Sequence, residues 1–232
     1  MARGETRARH FGIPRVHFRL IDSTNARARD LAARGAPDGT VVTAAEQSAG
    51  RGRHGRTWTA PAGRALLCSV LIRDPPRLLP LAAGAAVAGT VGPEAMIKWP
   101  NDVHLEGRKV AGILVEGRPQ EGWAVAGIGL NVALRLPEDV PAELRSTAGT
   151  LGLEPEAIEP TLDALLGRLE WWLGVSDGVV LDAVRERDAL FGRPVRWAGG
   201  EGTGAGIDAG GRLLVATESG TVALDAGEVH LI

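Results

Sequence analysis

The 232 residues contain no tyrosine, one cysteine, two lysines and three asparagines. The single cysteine, Cys68, rules out a disulfide within the chain and a thiolate metal cluster. It sits mid-strand with no histidine motif nearby, so it is not read as a nucleophile. No apolar run reaches the length of about 18 residues that a membrane-spanning helix needs. The chain begins Met-Ala-Arg-Gly-Glu-Thr-Arg with no apolar segment behind it, so no secretory signal is expected. These absences point to a cytoplasmic protein with no membrane partner. A net charge of −2 gives no global reason to bind nucleic acid.

What is present fits an ordinary globular protein with one main domain and a small appendage, long enough to bury a substantial core. All 26 basic residues except Lys98 and Lys109 are arginine, and the asparagines are Asn25, Asn101 and Asn131. A chain this biased toward Arg, Ala and Gly places its few Lys and Asn where Arg or Asp cannot substitute. All five fall in short motif-like segments.

Asp22-Ser23-Thr24 and Gly35 bracket a helix over 24–34. Strands are expected over 40–46 and 65–72. After Asp74-Pro75-Pro76 a helix runs to about Thr90, followed by a strand over 95–99. A hairpin joins 103–105 to 109–116 at Glu106-Gly107, and a further strand covers 123–133. Leu162, Leu165, Leu166, Leu169 and Leu173 recur at helical spacing just after Pro160, and a second helix spans 177–190. Beyond Phe191, short strands over 195–198, 203–207, 212–216, 221–224 and 229–232 predict a small SH3-like barrel, with the Gly-rich 199–211 as hairpin turns. The expected domains are 1–190 and 191–232.

Four segments carry chemistry. Gly50-Arg51-Gly52-Arg53-His54-Gly55-Arg56 lies in a stretch, 47–73, with five arginines and no carboxylate. Glycines let backbone approach a ligand, and arginine forks match carboxylate and phosphate. A solvated loop or an RNA-contacting arm would share this composition, but its position between two strands favours an anion site on a scaffold. Lys98-Trp99-Pro100-Asn101-Asp102 follows a strand and presents Asn101 and Asp102 at its mouth; an ordinary turn is the plain alternative. Lys109 opens the next strand, where a compact ammonium suits an anion. Gly127 and Gly129, in Gly-Ile-Gly-Leu-Asn, signal close approach by a ligand or backbone, or equally a bulge.

Taken in order, Ser23-Thr24-Asn25, Glu46-Gln47, the Gly-Arg loop, Lys-Trp-Pro-Asn-Asp, Arg-Lys-Val-Ala-Gly-Ile-Leu-Val-Glu and Gly-Ile-Gly-Leu-Asn resemble the biotin protein ligase family over residues 20–133. The resemblance implies an α+β fold: a mixed sheet flanked by helices, like class II aminoacyl-tRNA synthetases, with a C-terminal SH3-like barrel. It implies an ATP-dependent ligase that forms biotinyl-5′-AMP and transfers biotin to a lysine of a biotin carboxyl carrier protein. Mg²⁺ would enter with ATP, with no metal held by protein ligands alone. Ser23, Thr24 and Gln47 would hydrogen-bond the biotin ureido ring, with Asn25, Gly52 and Gly112 completing the biotin site. Arg51, Arg53 and Lys109 would face the biotin carboxylate and the ATP phosphates, with Arg56, Lys98 and Asn101 beside the nucleotide. Trp58 would pack on adenine and Asn131 would read its edge. Asp102 would orient the carrier lysine, forming the catalytic set with Arg53 and Lys109. Bifunctional members carry an N-terminal winged helix, whereas only 22 residues precede Ser23. The monofunctional type, without sequence-specific DNA binding, is therefore expected. A lipoate or octanoate ligase or transferase of the same scaffold is the nearest rival, and an Arg-rich nucleic-acid module a more distant one.

Overall fold

In a computed structural model describing residues 11–232, the apolar runs assemble into two sheets. The opening seven residues read above for a signal lie outside the described residues. The elements run β1 (Arg15–Phe18), α1 (Thr24–Ala33), β2 (Val41–Ala44), β3 (Ala65–Arg73), α2 (Leu79–Val91), β4 (Met96–Lys98), β5 (Asp102–Leu105), β6 (Arg108–Arg118) and β7 (Trp123–Asn131). Then follow α3 (Ile158–Gly174), α4 (Asp177–Glu186), β8 (Pro194–Trp197), β9 (Gly200–Ile207), β10 (Leu213–Thr217), β11 (Gly220–Leu224) and β12 (His230–Leu231). The first sheet has the order β1-β2-β3-β7-β6-β5-β4 and is mixed, since β1 and β2 are parallel and the other pairs antiparallel. The second is antiparallel, in the order β11-β10-β9-β8-β12, and forms the SH3-like portion.

Strand alternation sends neighbouring side chains to opposite faces, and the two faces of the seven-stranded sheet have different fates. Cys68, Val70, Ile72, Ile97, Val103, Ile113, Ala126 and Ile128 face α2, α3 and α4 in one continuous core. That core extends into the second sheet through Val195, Leu213 and Val215. Helix α2 is apolar on all sides because it is sandwiched, and its Ala and Gly residues let α3 lie close. The α3 leucines 162, 165 and 169 are almost fully buried. Truncating one to alanine would cost roughly 2–5 kcal/mol. On the other face, Val42, Leu71, Trp123 and Val125 pack against Ala28 and Ala32 of α1. Helix α1 lies over the β2-β3-β7 end and reaches β6 through the side chains of Asn25 and Arg29. The β4-β5-β6 end of that face has no helix over it among the described residues, and the cleft opens there.

Several boundaries differ from expectation. Strand β1 was not expected, because four residues behind Pro14 give too short a pattern to register. Helix α4 stops at Glu186, not Leu190. Residues 187–189 instead extend the sheet edge, with Ile97 N donating to Arg187 O and Ala189 N to Ile97 O. Helix α3 begins at Ile158, two residues before Pro160, which sits inside its first turn. The 199–211 segment is not merely turns, since Gly200–Ile207 is the longest strand of the second sheet.

Candidate active site

Each site residue suggested by the motifs lines one cavity of about 430 Å³ on the open part of the sheet. Ser23 caps α1, its side chain accepting from Ala26 N. This places Thr24 at the helix start, against Gln47 across the cleft's inner end. Oε1 of Gln47 accepts from Thr24 N at 2.8 Å. Asn25 lies one layer deeper. Its Nδ2 donates to Leu114 O and Glu116 Oε2, and its Oδ1 faces Ser69 Oγ at 2.6 Å. Its amide is thus spent inside the protein, so Asn25 acts as a support behind Thr24.

Residues 50–56 form a closed loop rather than a free arm. Gly52 N donates to Arg56 O at 2.7 Å, and Trp58 N donates to Gly50 O at 3.0 Å. The chain reverses at His54 and Gly55, with φ of 53° and 74°. Two side chains anchor the loop: Arg53 donates to Oδ1 of Asn101 at 2.9 Å, and Arg56 pairs with Glu228 at 2.6 Å. Asn101 in turn donates to Ile113 O, so it works as a bracket between loop and sheet.

On the sheet floor, alternation puts Lys98, Asp102 and Gly112 on the cleft face, while Ile97, Val103 and Ile113 enter the core. Lys109 Nζ lies 2.7 Å from Asp102 Oδ1 and 5.8 Å from the Trp58 ring centroid. Burial pushes the Lys98 ammonium below its ordinary pKa, partly offset by the nearby Asp102 carboxylate. Burial likewise lowers His104, again against Asp102. The cleft therefore gathers Arg51, Arg53, Arg56, Lys98 and Lys109 around two carboxylates, Asp102 and Glu228, each already paired. Its inner end is uncharged and polar; its outer end carries surplus positive charge.

Residues 17–132 match the biotin/lipoate A/B protein ligase family. The biotin–[acetyl-CoA-carboxylase] ligase of Mycobacterium tuberculosis is 39% identical, the alignment covering 90% of this chain and 86% of that protein. The chain belongs to the biotin protein ligase family. The corresponding ligase of Paracoccus denitrificans is 35% identical over 90% of this chain and 96% of its own length. Among solved structures, the biotin protein ligase of Aquifex aeolicus in complex with biotin and ATP superposes with a TM-score of 0.81. It is 28% identical, and the match covers 94% of this chain and 98% of that one.

Within this family fold, the paired glycines of β7 have separate tasks. A Cβ on Gly127 would lie 2.0 Å from Oδ1 of Asn25, and one on Gly129 would lie 2.4 Å from Cε2 of Trp58. The β6–β7 register has no shift, so the bulge reading is wrong. What comes close is neither a ligand nor another backbone but two of the protein's own side chains, Asn25 and Trp58. Asn131 is more buried than an edge-reading residue need be. Its Nδ2 donates to Gly149 O at 2.9 Å, tying β7 to a second wall. That wall, with Leu134, Val140, Leu144 and 146–148, was not expected, nor were Glu228 and His230 of the second sheet. No local pattern marks them, because tertiary packing alone brings them to the cleft. Cys68 lies among core residues, and burial pushes its thiol up to about 12. It has no thiolate to offer as a nucleophile.

Proposed function

We propose that this protein activates biotin with ATP and transfers it to a lysine of a biotin carboxyl carrier protein. The observation that carries this reading is the polarity gradient of the cleft. A neutral hydrogen-bonding inner end at Ser23, Thr24 and Gln47 suits a ureido head. A cationic outer end at Arg51, Arg53 and Lys109 suits a carboxylate and phosphates. Trp58, over the floor glycines between them, suits an adenine ring.

A carboxylate is a poor acyl donor, because its oxygen does not leave. The biotin carboxylate oxygen attacks the α-phosphorus of ATP and pyrophosphate departs, leaving biotinyl-5′-AMP. The carrier lysine's amine then attacks the acyl carbon and AMP departs. The protein's part is to hold the reacting oxygen and phosphorus together and to stabilise charge that builds on the phosphate, with Arg53 and Lys109 foremost. Lys109 is held by Asp102 until an anion draws it away, and its departure frees the Asp102 carboxylate to orient the carrier lysine and take its ammonium proton, so that the neutral amine attacks and its second proton leaves with the AMP phosphate.

Among the described residues no three His, Cys, Asp or Glu side chains cluster as a metal cage. The cleft's two carboxylates are ion-paired, so the residues suit Mg²⁺ arriving on the nucleotide, where it would neutralise phosphate charge. No helix of the described residues is long and apolar enough to cross a membrane, and the cytoplasm is the proposed place of action.

The test is ATP–pyrophosphate exchange with biotin, lipoate and octanoate side by side. Exchange driven by biotin and Mg²⁺ alone is expected. Exchange driven by lipoate and not by biotin would replace this reading with that of a lipoate ligase.

A further inference from the structure

Ser69 stands in the middle of β3, fully buried, and belongs to none of the family-like motifs. Its Oγ lies 2.6 Å from Oδ1 of Asn25 and 2.8 Å from Oγ1 of Thr24. Oγ1 of Thr24 is in turn 3.1 Å from Oε1 of Gln47. Four oxygens thus form a row with three contacts. Each contact needs a proton, yet the row owns only the two hydroxyl protons of Ser69 and Thr24.

Neither end can supply the third. The Asn25 amide nitrogen gives its protons to Leu114 O and Glu116 Oε2, which fixes Oδ1 toward Ser69. Gln47 Oε1 accepts the Thr24 N–H, which fixes that atom as an oxygen. One contact must therefore set acceptor against acceptor. Bare oxygens repel more strongly the closer they lie, so the two shortest contacts take the protons. Ser69 then donates to Asn25, and Thr24 donates to Ser69. The contact left without a proton is the longest, between Thr24 Oγ1 and Gln47 Oε1, and both residues line the cleft.

From this count we infer that Ser69 is a specificity-determining positioning residue: it draws the Thr24 proton inward and leaves a two-oxygen acceptor that a ligand satisfies only by bringing a hydrogen-bond donor to it. A head group must bring a donor to that point, which a ureido ring does and a dithiolane or alkyl chain does not. The inference rests on the biotin reading above and adds why the head must donate there.

The experiment compares biotin with the two cyclic carbamates in which one or the other ureido N–H is replaced by a ring oxygen. Binding to the full chain is titrated through intrinsic tryptophan fluorescence, without ATP. One carbamate should bind the wild-type protein about ten- to a hundredfold more weakly than biotin, because its ring oxygen would face two lone-pair donors. Ser69→Ala frees the Thr24 hydroxyl to turn toward Gln47. Biotin should then weaken about tenfold, while the gap between biotin and that carbamate shrinks to about threefold or less. Thr24→Val, which removes the hydroxyl at constant shape, should flatten the gap in the same way and carries the test if Ser69→Ala does not fold.

Equal weakening of biotin and carbamate in both variants, with the wild-type ratio kept, would overturn the inference and leave the biotin reading standing. So would carbamates that bind the wild-type protein as tightly as biotin. If the wild-type protein bound no biotin at all, the functional reading itself would fall and the inference with it.

Discussion

Gly129→Ala is the smallest change that should disable the nucleotide half of the cleft. The added methyl would sit 2.4 Å from Cε2, 2.7 Å from Nε1 and 2.8 Å from Cζ2 of Trp58. Carbon atoms pack at about 3.5–4.0 Å, so the ring must retreat by roughly 1 Å or more. The backbone cannot yield instead, because β7 is laddered to Leu67 of β3 on one side and Gly112 of β6 on the other. Gly112 lies under the same indole, and a Cβ built there would also meet the ring, 2.9 Å from its Cζ3, so the ring already rests close on both floor strands. The ring therefore swings into the cleft. Overpacking of this kind costs about 1–3 kcal/mol. A misplaced stacking ring should raise the KM for ATP about ten- to a hundredfold at about 1.4 kcal/mol per decade. Biotin binding measured without ATP should change by about threefold or less, since the Thr24–Gln47 end is untouched. The decisive assay is a double-mutant cycle on ATP in pyrophosphate exchange. In a Trp58→Ala background nothing remains to clash, so adding Gly129→Ala should change little. If the two substitutions proved additive, Gly129 would act on something other than Trp58 and the reasoning would fail.

Lys109→Ala and Arg53→Ala should each slow adenylate formation about ten- to a hundredfold, the worth of one charge-assisted hydrogen bond; near-wild-type single-turnover rates would refute their roles. Burial lowers the Lys98 pKa, so its ammonium gives up its proton at a lower pH than an exposed lysine's would. The KM for ATP should accordingly climb on the alkaline side before an exposed lysine would titrate, and Lys98→Arg should move that rise to higher pH; an unmoved limb would clear Lys98. Cys68 should resist alkylation by iodoacetamide in the folded protein and react only on unfolding, because it is 1% exposed and its thiol is held near 12. Rapid native labelling would show that the strand opens.

The parts of the site that could be read from the chain are those whose residue types are locally unusual. Two lysines among 26 basic residues, three asparagines, and a Gly-Arg loop without carboxylates all stand out against the composition. All of them reach the cleft. What could not be read is of two kinds. The wall from Leu134 to Ala148 and the Arg56–Glu228 contact depend on pairs 172 or fewer residues apart that share no local pattern. The division of labour inside a motif was also hidden. Asn25, Asn101 and Asn131 look alike as scarce polar residues, yet the fold uses their amides to fasten Glu116, Ile113 and Gly149. Their scarcity marked them as irreplaceable without saying that the task is support. The boundaries failed for an ordinary reason: residues 187–189 continue the α4 pattern in sequence but gain more by pairing with β4.

The same sheet face explains why support and chemistry share so few residues. Five of its cleft positions are Gly112, Gly127, Gly129, Asp102 and Lys98, small or charged where the α1-covered end has Val42, Leu71 and Val125. Filling those positions with apolar side chains would bury more surface, at about 25 cal/mol per Å², and would close the cleft. The fold forgoes that stabilisation and leaves polar atoms short of partners, including Nε1 of Trp58 and Nε2 of His104, which are buried without a hydrogen bond. An orphaned buried donor is costly only until something accepts from it. The sites of greatest local deficit, the acceptor pair at Thr24–Gln47, the unmatched cations at Arg51 and Arg53, and the indole N–H, all lie in the one cleft, where the proposed biotinyl-adenylate would meet each of them. A change that satisfied any of them from within should raise stability and lower affinity together.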